Sequence, residues 1–485
     1  MTMHKGLIAL TIPLLAAAAE PPRDWSATLR ADAIAFHDAI AANHPGPVNR
    51  LDPRFTERND AGLALALRRA ANARDYPAYL WAMRAYVAGF DDGHVAFDVN
   101  QPVPLPLRWP GFLTTVDGAE RAVVVTRADD VALPLGAELV SCDGIPAKTL
   151  AMRNVGDFRG RWSLFSQRAS TAGRLFIDAG NPYVRRPARC RFTVDGRSRE
   201  VVLQWRDLPD AEFDTRFAAA SPRAHPEIGG TTLPDGTRWF TLSGFDSDPM
   251  SKDAKALVPL IASMKVDAAG LAAAPRIVLD LRGNNGGSSD WSRQVATILW
   301  GAAAIRRLPS DSDAVDWRVS PGNLATIDGY RSAWRAAPDA SPEAMRWGDR
   351  VSAGLNSALA RGDTLWREAD EEAAAPATDI GAPVLPPKGR VYVLTDLGCA
   401  SACLDAVDLW TALGAVQIGQ ETGADSLYMD IRRVPLPSGF AQAIVPMKVY
   451  RGRKRGSNVP AVPVHRYTGD MRDTPALQRW VASLS

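Results

Sequence analysis

Two aliphatic runs far apart in the chain end the same way, each leaving an extended pattern for a turn and then a helix. One is Arg276-Ile-Val-Leu-Asp-Leu-Arg-Gly-Asn-Asn-Gly-Gly287, the other Val391-Tyr-Val-Leu-Thr-Asp-Leu-Gly-Cys-Ala-Ser-Ala-Cys403. Short β-branched and aliphatic runs of this kind have the pattern of buried strands. Around them, from Thr237, strands alternate with helices: Trp239 to Leu242 as strand, Ala254 to Ala273 as helix, 276–281 as strand and Asp290 to Trp300 as helix. The alternation resumes at Arg390 and closes with strands near Ala415–Ile418, Met429–Arg433 and Ala443–Val449. That is the signature of an α/β layer. The first turn is rich in Gly and Asn, so its backbone can bend sharply and expose amides, and the second puts Ser401 at the start of a helix. A hydroxyl at a strand-to-helix turn, beside exposed amides, is the arrangement that acyl transfer needs.

Ahead of this layer, residues 20–94 read as a small helical bundle. Trp25 to Ala42 carries apolar residues at helical spacing until His44-Pro-Gly-Pro47 ends it, and Arg54 to Ala73 and Tyr76 to Val87 continue the pattern. A β-rich domain follows at 95–205, with a strand at Ala122–Thr126, a strand running into the Asp143-Gly144 turn and a hairpin around Asp195-Gly196. The catalytic layer then occupies 206–485. Within it, 304–387 shows no strand pattern and reads as a mostly helical insertion or lid.

The N-terminus has the layout of a secretory signal peptide: a short positive segment, an apolar stretch from Gly6 to Leu15, and small residues up to a cleavage point after Ala19. The mature protein is therefore expected in the periplasm or outside the cell, with no stable membrane span. A formal charge of +2 argues for neither nucleic acid nor an anionic membrane as partner. The basic run Arg451-Gly-Arg-Lys-Arg455 reads as a solvated loop, because it lacks interleaved aromatics for nucleic acid. Four cysteines suit an oxidising compartment. Cys142 and Cys190 share the β-rich domain, and whether they bridge is left open. Cys399 and Cys403, flanking Ser401, read as buried packing residues. No His/Cys cluster has metal-ligand spacing, so neither metal nor cofactor is expected.

A serine nucleophile needs a base within reach. His94, in Phe90-Asp-Asp-Gly-His-Val95, has Asp91 and Asp92 beside it to orient an imidazole. With these residues in view, the chain resembles the serine peptidases that include the C-terminal (tail-specific) processing proteases and the tricorn core protease. Val278 to Gly287 is similar to that family's strand-Asp-Leu-Arg-x-Asn-x-Gly-Gly, Val393 to Ala402 to its Ala-Ser-Ala segment, and Asp92-Gly93-His94 to its Asp-x-His. Leu135 to Leu150 looks like part of a PDZ-like domain, and Trp239 to Phe245 like the family's core strand. The resemblance implies a crotonase/ClpP-like α/β core with an N-terminal helical bundle and a PDZ-like domain. It assigns Ser401 as nucleophile, His94 as base, and the amides of Ala402 and the Gly286 loop as oxyanion hole.

The departures are equally specific. The lysine of the Ser–Lys branch is absent from Gly419 to Ser426, and Lys448 reads as a solvated residue on a later strand. The tricorn-like branch has a serine where this chain has Gly93, and a glutamate where it has Asn458-Val459-Pro460. Asp92, Glu421 or Asp425 is left to orient the histidine. The expected activity is that of an exported serine endopeptidase acting on peptides or proteins, C-terminal tails among them. The alternatives are a catalytically degenerate protein binding peptides or small molecules on the same fold, and an esterase.

Overall fold

A computed structural model describes residues 23–100, 102–221, 223–309, 314–336, 342–368 and 385–484. The segment read from the sequence as a signal peptide lies outside the described residues.

The fold is mixed α/β. The buried aliphatic runs form the middle of a six-stranded sheet ordered Gly229–Thr232, Arg238–Thr241, Arg276–Asp280, Arg390–Thr395, Val416–Gly419 and His465–Arg466. All its pairings are parallel except the first, between Gly229–Thr232 and Arg238–Thr241. Parallel strands covered by helices must be apolar on both faces. Accordingly Ile277, Leu279, Val391 and Val393 pack into one core with the helices Lys252–Val266, Asp290–Trp300 and Ala402–Ala412, while Val278, Tyr392 and Leu394 pack against the C-terminal helix Thr474–Ala482.

A second sheet is built around the long strand Ala441–Arg451. One edge pairs with Tyr428–Pro435; the other is shared by Ala96–Val99 and Ala314–Arg318, and the latter pairs in turn with Leu365–Glu368. The helices Trp25–Asn43, Phe55–Ala70 and Tyr76–Ala88 form where their periodicity predicts, with Asp24 and Asp75 capping the first and third. They do not close on themselves as a free-standing bundle. Their core runs on into Tyr428, Ala441, Ala443 and Val445 of the second sheet.

The β-rich layer has its own core, including Phe112, Leu139, Phe176 and Phe192, and Cys142 and Cys190 face each other across paired strands and form a disulfide.

Three expectations are corrected. Among its described residues the 304–387 segment contains two strands, Ala314–Arg318 and Leu365–Glu368, flanking the helices Pro321–Ala336 and Pro342–Arg361. They escape a hydrophobic pattern because polar side chains hold them. Buried Asp316 accepts from Arg451 (2.7 Å) and Arg367 (2.9 Å), and Glu368 accepts from the indoles of Trp317 (2.7 Å) and Trp347 (3.0 Å). The basic run is not solvated: the Arg453 and Arg455 side chains are 4% and 8% exposed and pair with Asp405 and Asp408 on the helix Ala402–Ala412. Lys448 is likewise enclosed, paired with Asp430 at 2.9 Å and lying over the Trp317 and Tyr450 rings.

Candidate active site

The register of the two central strands, from Arg276 opposite Arg390 to Asp280 opposite Leu394, makes the Gly-Asn turn and the Ser401 turn leave the sheet side by side. Carboxyl ends of adjacent parallel strands are where such sheets place their sites. Two buried acids fix the turns. Asp280 accepts from the Arg282 guanidinium through both oxygens and from the Trp239 indole, while Arg282 also donates to Met471 O, tying the turn to the C-terminal segment. Asp396 accepts from the amides of Gly283 (3.0 Å) and Gly398 (2.9 Å), one on each turn. Burial pushes its carboxyl up to about 6, against the lowering effect of those two amides.

Ser401 has φ 55° and ψ −130°, a conformation that costs a non-glycine residue about 1–3 kcal/mol and clusters at functional sites. It heads the helix Ala402–Ala412, yet its hydroxyl makes no capping bond. The turn is braced covalently. Cys399 and Cys403 form a disulfide across Ser401, which corrects their reading as packing residues: their four-residue spacing closes across the turn because the chain reverses there.

Gly286, at φ 109°, comes so close that a Cβ on it would stand 2.6 Å from the Ser401 Cβ and 3.1 Å from the Ala402 nitrogen. Only glycine fits that approach. Its amide is already engaged, donating to Asn284 Oδ1 (2.9 Å), whereas the next amide, that of Gly287, has no acceptor among the described residues.

The third segment is the turn at His94. Asp92 Oδ1 accepts from the His94 backbone amide (2.7 Å), and burial raises the Asp92 carboxyl above the usual range, opposed by the charge of His94. Asp92 Oδ2 and His94 Nδ1 are both buried without a partner, as are Asp425 Oδ2 and Asn458 Oδ1. Asn458 donates from Nδ2 to Asp91 O (2.7 Å) and from its backbone to Asp425 O (2.7 Å). The segment in which the family resemblance placed a glutamate therefore does reach the His94 turn, with an amide instead. Gly93, where the resemblance led one to expect serine, lies against the Arg161 guanidinium, which occupies the space of a side chain.

The His94 and Ser401 turns are joined through the loop 419–426. Arg161 donates to Ala424 O, and the neighbouring Gly423 packs on Cys399 O and Ala400. Asp425 lies in this loop. Glu421 is set among Arg466, Arg168 and Glu120 instead, with burial raising its carboxyl. Arg161 and Asp396 carried no motif signal; Asn458 was legible only as a departure from the family pattern. No cluster of three or more metal-ligating side chains occurs among the described residues.

No protein-family model matches the chain, and no curated protein matches its sequence. Solved structures do match. Mature CPAF complexed with lactacystin aligns over 94% of this chain and 98% of that one, with a TM-score of 0.60 and 13% identity. The photosystem II D1 C-terminal processing protease aligns over 91% and 93% at 13% identity and a TM-score of 0.33. The tricorn protease aligns over 91% of this chain but 34% of its own, at 11% identity and a TM-score of 0.37. The last two are too loose to argue from, and the first establishes likeness of fold. The mixed α/β fold of this chain is thus similar to that of mature CPAF over nearly the whole length of both.

Proposed function

We propose that the chain is an exported serine endopeptidase in which Ser401 is the nucleophile and His94 the general base, on a crotonase/ClpP-like core. The observation that carries this reading is Ser401 itself: a strained serine, with no capping bond, clamped by a disulfide at a strand-to-helix turn and pressed against Gly286. Ser401 Oγ adds to the peptide carbonyl while His94 takes its proton. The oxyanion lies against the Ala402 amide and an amide of the Gly286 loop, that of Gly287 being the one without an acceptor, with the helix dipole behind Ala402 adding to the field. His94 returns the proton to the departing amine, and water frees the acyl group by the same route.

Asp92 supplies the carboxylate beside His94, and Asn458 stands where the family's glutamate would, steadying Asp91 and the Asp425 loop. Glu421 is the weakest of the three acids, because its charged neighbours are Arg466, Arg168 and Glu120. The β-rich layer serves as the PDZ-like domain. Its groove of about 750 Å³, between the strand Glu138–Cys142 and the helix Ala147–Ala151, is where a substrate tail would lie. Two disulfides fit an oxidising compartment.

Two observations favour the non-catalytic binding reading: the Gly286 amide is taken by Asn284, and no carboxylate stands at 458. Fluorophosphonate labelling decides between them. Wild type is expected to label, and Ser401→Ala and His94→Ala to lose the label while keeping the wild-type melting temperature. A folded wild type that resists the reagent would favour the binding protein. Cleavage of esters but not peptides would favour the esterase.

A further inference from the structure

Between the helix Tyr76–Ala88 and the β-rich layer lies a cavity of about 400 Å³, lined by none of the residues assigned to the candidate active site. Five arginines line it, Arg84, Arg159, Arg174, Arg185 and Arg186, against a single carboxylate among the described residues, Asp178. Asp178 is already occupied, pairing with Arg186 (3.2 Å) and accepting from the Gly180 amide (2.8 Å).

Arg84, Arg159 and Arg174 have no side-chain hydrogen bond or ion pair among the described residues. They rest instead on rings: Arg84 and Arg159 at 4.9 and 5.9 Å from Trp81, and Arg174 at 4.2 Å from Phe217. Burial, then the charges of Arg174 and Arg84, pull the Arg159 guanidinium down to about 9; burial and Arg84 pull Arg174 down to about 10. Three enclosed arginines elsewhere differ from them. Arg282, Arg453 and Arg455 each have a carboxylate partner. Like charges crowded on the wall of a half-enclosed cavity without counter-charge repel one another, and a bound anion offsets that repulsion. A further donor waits in the same wall, because Asn181 Nδ2 is buried without a partner. Most of the remaining lining is apolar, with Leu80, Leu105, Ile177 and Trp205 beside Trp81.

We infer that this cavity binds a small organic anion, a carboxylate or phosphate-monoester head on an apolar body. Arg84, Arg159 and Arg174 grip the head, and Trp81, Leu105 and Ile177 cover the body. Guanidinium forks suit the planar or tetrahedral oxyanion of either head, and the volume lies in the range of small-molecule sites. Because its walls come from two layers, the ligand would also fasten the N-terminal helices to the β-rich layer. This site stands independently of the peptidase reading.

Calorimetric titration of the whole protein tests it with octanoate and octyl phosphate as probes, and with octanol, octyltrimethylammonium and inorganic phosphate as controls. At least one of the two anionic probes is expected to bind and to raise the melting temperature, the tighter one identifying the head. Arg159→Gln with Arg174→Gln should weaken that binding about tenfold or more. Leu105→Trp, which fills the cavity and leaves every arginine, should do the same, and it decides the matter if the double variant folds poorly. Failure of both anionic probes to bind would overturn the inference. So would equal affinity for octanol or the cation, inorganic phosphate binding as tightly as octyl phosphate, or wild-type affinity in the folded variants.

Discussion

At position 401 the left-handed backbone, the glycine pressed against it and the disulfide around it all act on one residue, and Asp396 aligns that residue's turn with its neighbour. The cost of this alignment is visible in pH. The Asp396 carboxyl is raised from an ordinary value near 3.8 to about 6 by burial, so between those values the folded protein binds a proton that the unfolded chain does not. Stability from this group therefore increases as pH falls through about 6 towards 3.8, and decreases as pH rises across the same window. Asp396→Asn keeps a carbonyl acceptor and removes the charge. Its unfolding free energy, measured by urea titration from pH 4.5 to 7.5, should lack that slope, the difference from wild type changing by on the order of 1–3 kcal/mol. Parallel curves for the two proteins would place the titration elsewhere.

The turns at Ser401 and Gly286 stand out in the sequence because the information is local: an aliphatic run, a break, a small residue. Arg161 carries no such signal and Asn458 only a departure from a pattern, since what matters about them is which distant turn they reach.

Among the elements, the helix Ala402–Ala412 shows how much can rest on a short span of chain. It begins at Ser401, is braced by Cys399–Cys403, and is held from outside by Arg453 and Arg455. A bridge between residues four apart constrains the unfolded chain little, about 2 kcal/mol in the chain-entropy view. Its effect should be concentrated on the turn. Replacing both cysteines by alanine is expected to slow fluorophosphonate labelling about tenfold, while the urea midpoint moves only slightly. A large midpoint loss with unchanged labelling would show that the bridge serves the fold alone.

The strands Ala314–Arg318 and Leu365–Glu368 mark where element-level reading fails. Their pairing is stabilised by Asp316 and Glu368 with distant partners, so no alternation of apolar and polar residues announces them. The same holds for the basic run, whose charge pattern describes a surface loop until Asp405 and Asp408 are brought beside it.

For the whole molecule, the core of the β-rich layer is separate from those of the two sheets, and the Cys142–Cys190 bridge lies wholly within it. Scanning calorimetry should therefore resolve this layer as its own transition, and Cys142→Ala with Cys190→Ala should lower that transition by several degrees while leaving the other in place. A single peak moving as one would show that the layers melt together.

The strand Ala441–Arg451 joins the remaining parts. It pairs with Ala96–Val99 just after His94, carries part of the core under the N-terminal helices, and leads into the arginines that grip the helix of Ser401. The pairing of residues 96–99 with 441–444 joins segments roughly 340 positions apart in the chain. During synthesis, the strand that follows His94 therefore lacks its strand partner until residues 441–444 have been made. A chain can thus hold every catalytic residue of the proposed site and still lack the strand pairing that seats one of them.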